Sequence, residues 1–145
     1  MKLQPQVFTF PVRVYYEDTD AGGVVYYANY LKFLERCRSE WLRSTGFEQS
    51  DLLRDAGIAF VVRSVSLEYL KPARLDELLT VGLEVEKITR SQIFFRQRVW
   101  RGGDDGETLA RGAVQVVCVK IGADAEPARI VSIPAAMRSQ LEALQ

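Results

Sequence analysis

The residues best suited to chemistry in this 145-residue chain sit in one stretch, Tyr16-Glu17-Asp18-Thr19-Asp20-Ala21-Gly22-Gly23-Val24-Val25-Tyr26-Tyr27-Ala28-Asn29-Tyr30. Three carboxylates crowd into a turn, a glycine pair follows, and a helix-period pattern begins directly after it. Glycines let a backbone come close to a ligand, and a helix start offers free N–H groups at the positive end of its dipole. A carbonyl placed against such donors would be polarised where negative charge develops on attack. A carboxylate beside it could attack that carbonyl or activate a water. The chemistry favoured is transfer of an acyl group to water. Aspartate and glycine before a helix are equally the marks of an ordinary capped turn, so residue types alone leave both readings open. Asp20 is the stronger candidate of the two aspartates, because Asp18, flanked by strand, can simply cap or pair with an arginine.

The sequence contains no histidine. Ser-His-Asp and Cys-His catalysis therefore cannot occur within the chain, and the usual His-bearing zinc sites are gone, so no metal is expected. Acid–base work near neutral pH falls to carboxylates, tyrosines, lysines, water or backbone dipoles. Cys37 and Cys118 are the two cysteines, and neither has a metal-like or redox-like neighbour at short spacing. Both are expected to stay reduced and pack as small hydrophobes. The 19 basic and 19 acidic residues cancel. No global basic field exists to hold nucleic acid, and an anionic ligand must be met by a local cluster. Met1 to Gln6 lacks a signal-like apolar core, and the longest apolar runs are strand-length. A cytoplasmic protein without membrane insertion is expected.

These side chains must be positioned by a simple set of elements. Val7 to Tyr16 reads as a strand with an irregular or edge character at Pro11. From Ala28 to Thr45 the period becomes helical: Leu31, Leu34, Cys37 or Arg38, and Trp41 form a stripe reinforced by Tyr30, Phe33 and Leu42, and Gly46 is the stop. Asp51 to Ala56 reads as a short second helix ending at Gly57. Strands are expected at Ala59–Tyr69, Leu78–Ile88, Ile93–Arg101 and Thr108–Ile121, with Pro72 in the first gap and a hairpin loop over residues 101–106. Arg129 to Ile133 suggests a last short strand, and Pro134 opens a weak C-terminal helix. Residues 1–145 thus read as one α+β domain, a curved antiparallel meander packed along one long buried helix. Such a sheet has exposed edges and favours a homo-oligomer.

The run from Val12 to Phe47, and above all Tyr16 to Tyr30, closely resembles the 4-hydroxybenzoyl-CoA thioesterase-like hotdog family. Within that family it is most similar to the Tol–Pal system-associated acyl-CoA thioesterase group of bacteria. Phe60-Val61-Val62-Arg63, Glu68-Tyr69-Leu70-Lys71-Pro72-Ala73-Arg74-Leu75-Asp76 and Val116-Val117-Cys118-Val119 extend the similarity over nearly the whole chain.

The resemblance implies a hotdog fold assembled as a homodimer or homotetramer, with active sites at subunit interfaces. It implies hydrolysis of acyl-CoA to a free acid and CoA without metal or organic cofactor. Asp20 aligns with the family's catalytic aspartate, and the Tyr27 amide aligns with the donor that polarises the thioester carbonyl. Gly22 and Gly23 would then border the substrate, and Tyr26, Tyr27, Tyr30 and Phe33 would line the acyl pocket, although at helical spacing some of these belong to the core. Arg90 and Arg129 occupy positions resembling basic CoA contacts in hydroxybenzoyl-CoA thioesterases. Glu35 is the second candidate, because some hotdog thioesterases carry their carboxylate on the central helix; an ion pair with Arg36 or Arg38 is its plainer role. The Tol–Pal-associated group commonly has histidine where this chain has Tyr27, whereas the hydroxybenzoyl-CoA enzymes have tyrosine there. Two further functions stay open: hydrolysis of acyl groups from an acyl carrier protein, and a non-catalytic module that binds acyl thioesters. A hotdog dehydratase or isomerase would generally need the missing histidine.

Overall fold

The computed structural model describes residues 7–103, 105–122 and 128–144. Its elements are β1 (Phe8–Arg13), a single 3-10 turn (Tyr16–Asp18), α1 (Asn29–Ser44), α2 (Gln49–Ala56), β2 (Ile58–Tyr69), β3 (Leu78–Ile88), β4 (Gln92–Arg101), β5 (Thr108–Lys120), β6 (Arg129–Ile130) and α3 (Ala135–Glu142). All strand pairs are antiparallel, in the order β1-β3-β4-β5-β2, with β6 added to β5. The expected α+β class holds. The meander holds only for β3-β4-β5: β2 lies at the far edge on β5, and residues 70–77 carry the chain across to β3. Alternation along each strand cannot distinguish these orders, because it fixes which face is buried and says nothing about neighbours.

β1 ends at Arg13 rather than Tyr16. Beyond it Val14 leaves the β1–β3 ladder and bonds the crossover instead, giving its N–H to Glu77 O at 2.9 Å and accepting from the Asp76 N–H at 3.0 Å. Val14 is fully buried, so the detour is packed as tightly as the strand it interrupts.

The helix α1 is the core of the domain. Tyr30, Phe33, Leu34, Cys37, Trp41 and Leu42 are all buried against Val81, Leu83, Phe95, Val99, Val114 and Val116 of the sheet's inner face. Each such side chain removed from water stabilises by roughly 1.5–3 kcal/mol before ordering costs are counted. Leu31, expected in this stripe, is instead 42% exposed, since the burial arc is centred on Phe33 and Cys37. The helix ends where Gly46 turns to φ +96°. Gly46 N–H bonds Arg43 O and Phe47 N–H bonds Leu42 O, which satisfies the last carbonyls as a Schellman cap does. Gln97 is a polar residue inside this core, 3% exposed. It gives its amide N–H to Leu34 O at 3.1 Å and accepts from Arg38 at 3.0 Å. Both halves of the amide are satisfied, so the strand β4 is keyed to one position along α1.

Candidate active site

The turn that carries Asp20 is a small hairpin inserted before the helix. Asp20 N–H donates to Val24 O (2.9 Å), Gly23 N–H to Asp20 O (3.0 Å) and Tyr26 N–H to Asp18 O (3.0 Å). Thr19 faces Val25 across an antiparallel bridge. Gly23 turns the corner at φ +78°, a conformation that a side chain would resist. Gly22 approaches so closely that a Cβ there would lie 3.2 Å from Asp20 Oδ1, and its N–H donates to that oxygen at 2.8 Å. One carboxylate oxygen is thus fixed. Asp20 is exposed, and its Oδ2 has no hydrogen-bond or ionic partner among the described residues.

Asp18 is built differently. Its side chain is buried, and Oδ2 accepts the Tyr15 N–H at 2.9 Å. Its backbone carbonyl accepts both the Tyr26 N–H and Asn29 Nδ2, the latter at 2.8 Å. It holds the arms of the hairpin against the helix start. The role of Asn29 was not legible in the sequence, where it reads as an ordinary first-turn residue. The crossover supports the other arm: Val25 N–H donates to Ala73 O at 2.8 Å, and Val24 bridges to Arg74. That crossover is in turn tied to β4 by Arg101, which donates to Pro72 O (2.9 Å), to Glu107 (2.9 Å) and to Glu77.

The start of α1 has no side-chain cap. The amides of Asn29, Tyr30 and Leu31 bond back to the carbonyls of Tyr26, Tyr27 and Ala28. The amides of Tyr27 and Ala28 have no acceptor among the described residues. Two successive N–H donors at the positive end of a 16-residue helix are therefore left unengaged, next to the arm that presents Asp20. Sequence pointed to the Tyr27 amide; Ala28, an apolar residue with no chemical signal of its own, was missed.

The four aromatics divide into two pairs. Tyr26 and Tyr27 are 45% and 60% exposed, with ring centroids 4.7 Å apart, and border the open side of the hairpin. Tyr30 and Phe33 are core residues, and burial pushes the Tyr30 hydroxyl above its ordinary range. Tyr69, from the end of β2, joins them: its hydroxyl donates to Tyr27 O at 3.1 Å, and its ring stands edge-on to Tyr27 and Tyr30 at 6.1 and 5.4 Å.

Asp20, Gly22, Gly23, Tyr26, Tyr27 and Tyr30 are thus brought together. Arg90 and Arg129 are not. Arg90 sits in the β3–β4 turn, giving a side-chain bond to Ser132 at 2.7 Å, and Arg129 pairs with Lys120. The Asp20 hairpin adjoins the opposite end of β3, about 30 Å along the strand. Within one chain these arginines cannot meet a group at Asp20 directly. Glu35 makes no ion pair with Arg36 or Arg38 among the described residues; it accepts from Ser39 at 2.9 Å, while Arg38 turns inward to Gln97. Glu35 borders a cavity of about 100 Å³ between α1 and the inner sheet, with Arg38, Trp41, Phe60, Ile93 and Phe95. A depression of about 880 Å³ on the outer sheet face, around Gly82, Arg96, Arg98 and Arg111, includes none of the hairpin.

Cys37 and Cys118 are free and buried, and burial pushes the Cys37 thiol up to about 12. Among the described residues no cluster of three or more Cys, Asp or Glu side chains could hold a metal ion. No helix among them is long and apolar enough to cross a membrane.

A curled antiparallel sheet around one long helix, with a carboxylate turn at the helix's uncapped N-terminus, defines a thioesterase of the hotdog fold. The chain belongs to the thioesterase superfamily, whose family model matches residues 22–108. It is 49% identical over 115 residues to an acyl-CoA thioesterase, YbgC, of Haemophilus influenzae, covering 79% of this chain and 82% of the relative. It is 44% identical over 117 residues to an acyl-CoA thioester hydrolase, YbgC, of Escherichia coli O6:H1, covering 81% and 85%. Among solved structures, a hypothetical protein from Aquifex aeolicus superposes with a TM-score of 0.79 at 32% identity, covering 92% of this chain and 98% of that one. The 4-hydroxybenzoyl-CoA thioesterase of a Pseudomonas strain gives a TM-score of 0.83 at 22% identity over 92% and 98%, a likeness of fold alone.

Proposed function

We propose that this chain hydrolyses acyl-CoA thioesters to the free acid and CoA, with Asp20 as the reacting carboxylate. The observation that carries the reading is the pairing of two unengaged amides, Tyr27 and Ala28, with a carboxylate fixed through one oxygen and open at the other. The thioester carbonyl oxygen accepts from the two amides, and its carbon faces Asp20 Oδ2. As the tetrahedral oxyanion forms, preorganised donors gain strength where charge develops and need no reorganisation. In one route Asp20 bonds the carbonyl carbon, CoA leaves as the thiolate, and water hydrolyses the resulting acyl–aspartyl anhydride to the free acid and the Asp20 carboxylate. In the other, Asp20 takes a proton from the water that attacks, and CoA again leaves as the thiolate. Single turnover in ¹⁸O-water, followed by mass analysis of the Asp20 peptide, tests for the anhydride. Label in the side chain supports the anhydride route with water attacking the Asp20 carbonyl, whereas an unlabelled peptide places the attack of water at the acyl carbon.

The same reading extends to assembly. β2 is a 12-residue edge strand with Val61, Val62 and Val65 exposed, and uncovered edges of this kind favour pairing with a second copy. A homodimer or homotetramer would also let Arg90 and Arg129 of one copy serve CoA phosphates bound at another copy's Asp20. We place the activity in the cytoplasm and in the Tol–Pal-associated group, on the strength of the motif similarity. Thiol release from short, long and aromatic acyl-CoAs tests the activity. Turnover would name the acyl class; a folded protein that cleaves no CoA ester would overturn the CoA assignment in favour of a carrier-protein thioester or a binding module.

A further inference from the structure

We propose that Tyr69 is a positioning residue for this hydrolysis, its hydroxyl holding the Tyr27 carbonyl so that the Ala28 N–H points at the developing oxyanion. The inference rests on the reading of the Tyr27 and Ala28 amides as oxyanion donors. A trans peptide is a rigid plate, with its C=O and the following N–H pointing in opposite directions. Whatever holds the Tyr27 carbonyl therefore aims the Ala28 N–H.

The plates of the two free donors are held unequally. The plate bearing the Tyr27 N–H is fixed through the Tyr26 carbonyl, which accepts from the Asn29 N–H at 2.9 Å; Tyr26 is itself tied to Asp18. The plate bearing the Ala28 N–H has one backbone bond, Tyr30 N–H to Tyr27 O, at 3.3 Å. That is long for an N–H···O bond and belongs to a helix end, where ladders fray. The Tyr69 hydroxyl supplies the second hold on this carbonyl, at 3.1 Å.

The hold comes from a firm base. Tyr69 ends β2, where it pairs with Ala110 of β5, and its ring leans edge-on against Tyr30, which is 3% exposed and part of the core. The same ring meets Tyr27 edge-on. Partial burial raises the Tyr69 hydroxyl above its ordinary range, so it stays a donor at neutral pH. Forty-two residues of chain separate donor and acceptor. A far strand of the sheet thus fixes one peptide of the helix start.

Tyr69→Phe keeps the ring contacts and removes only the hydroxyl. With butyryl-, decanoyl- and benzoyl-CoA as probes, kcat should fall about tenfold on the best substrate, KM should stay within about twofold, and the melting temperature should be unchanged. The decisive readout is the infrared band of the ¹³C-labelled thioester carbonyl bound to Asp20→Asn protein, where turnover is suppressed. Bound carbonyl should shift to lower frequency than free, and Asp20→Asn/Tyr69→Phe should lose part of that shift. A shift that Tyr69→Phe leaves whole refutes the role of Tyr69 while the oxyanion site stands. No shift in Asp20→Asn protein that binds the ester refutes the oxyanion site, and this role with it. A fall in kcat matched by a rise in KM, with the band unmoved, marks a merely structural tyrosine and overturns the proposal.

Discussion

Replacing Asp20 by asparagine separates chemistry from structure at this site. The amide keeps the size of the carboxylate, and its oxygen can still accept the Gly22 N–H that Oδ1 accepts at 2.8 Å. What changes in the fold is one hydrogen bond, from charge-assisted to neutral, on an exposed side chain. That costs about 1 kcal/mol at most, less after solvent screening. In a chain of this size the melting temperature should fall by no more than about 4 °C. The reaction loses much more. Neither an attacking oxygen nor a base remains, and such groups contribute roughly 10²–10⁴-fold, or about 2.7–5.4 kcal/mol of barrier. The assay is thiol release at saturating acyl-CoA, with calorimetry of substrate binding and thermal melting on the same protein. The expected result is kcat lower by at least about a hundredfold, with binding retained and melting nearly unchanged. A variant that keeps more than a tenth of wild-type kcat would refute the assignment.

Gly22→Ala should push the Asp20 carboxylate by a few tenths of an ångström, because the new Cβ would sit 3.2 Å from Oδ1; kcat should drop about tenfold with melting within about 2 °C, and unchanged kcat would show that the carboxylate tolerates displacement. The raised pKa of Cys37, pushed by burial up to about 12, predicts an alkaline loss of stability. The unfolded thiol ionises near 9 while the folded one keeps its proton, so stability is whole below about pH 9. It then falls by roughly 1.4 kcal/mol per pH unit towards pH 12. Chemical denaturation of wild type and Cys37→Ala between pH 8 and 10 checks this, the variant showing a shallower decline. Val62→Lys, at a position 50% exposed on the β2 edge, should leave the protomer folded and shift sedimentation towards the monomer; an unchanged sedimentation coefficient would exclude that edge as the interface.

Much of the fold could be read from the chain because its signals are local. The six buried residues of α1, the Gly46 stop and the whole of β3 follow from periodicity and turn chemistry that lie within a few residues of one another. The position of β2 could not be read in this way, because its pairing with β5 depends on a partner some fifty residues away. The site divides along the same line. Asp20, Gly22 and Gly23 are marked by type as a turn and by the motif resemblance as a candidate site, and their geometry is made by bonds within five residues. The Ala28 amide, the Asn29 side chain and the Tyr69 hydroxyl act through backbone groups, so residue type carries no trace of their roles. Arg90 and Arg129 are marked by charge and by the resemblance of their positions to CoA contacts, and neither signal says whether such a residue serves its own chain's Asp20 or another copy's.

The supports of the Asp20 hairpin arrive late in synthesis. Ala73, Arg74 and Glu77 brace residues 14–25, and they are in turn secured by Arg101 and Glu107. On a ribosome adding about 5–20 residues per second, Glu107 follows Asp20 by roughly 4–17 s. During that interval α1 can form from its own local signals, but the turn before it has nothing to lean on. A nascent chain released early would carry the Asp20 turn without the contacts that brace it, so hydrolytic competence should appear only when nearly the whole sheet has been made.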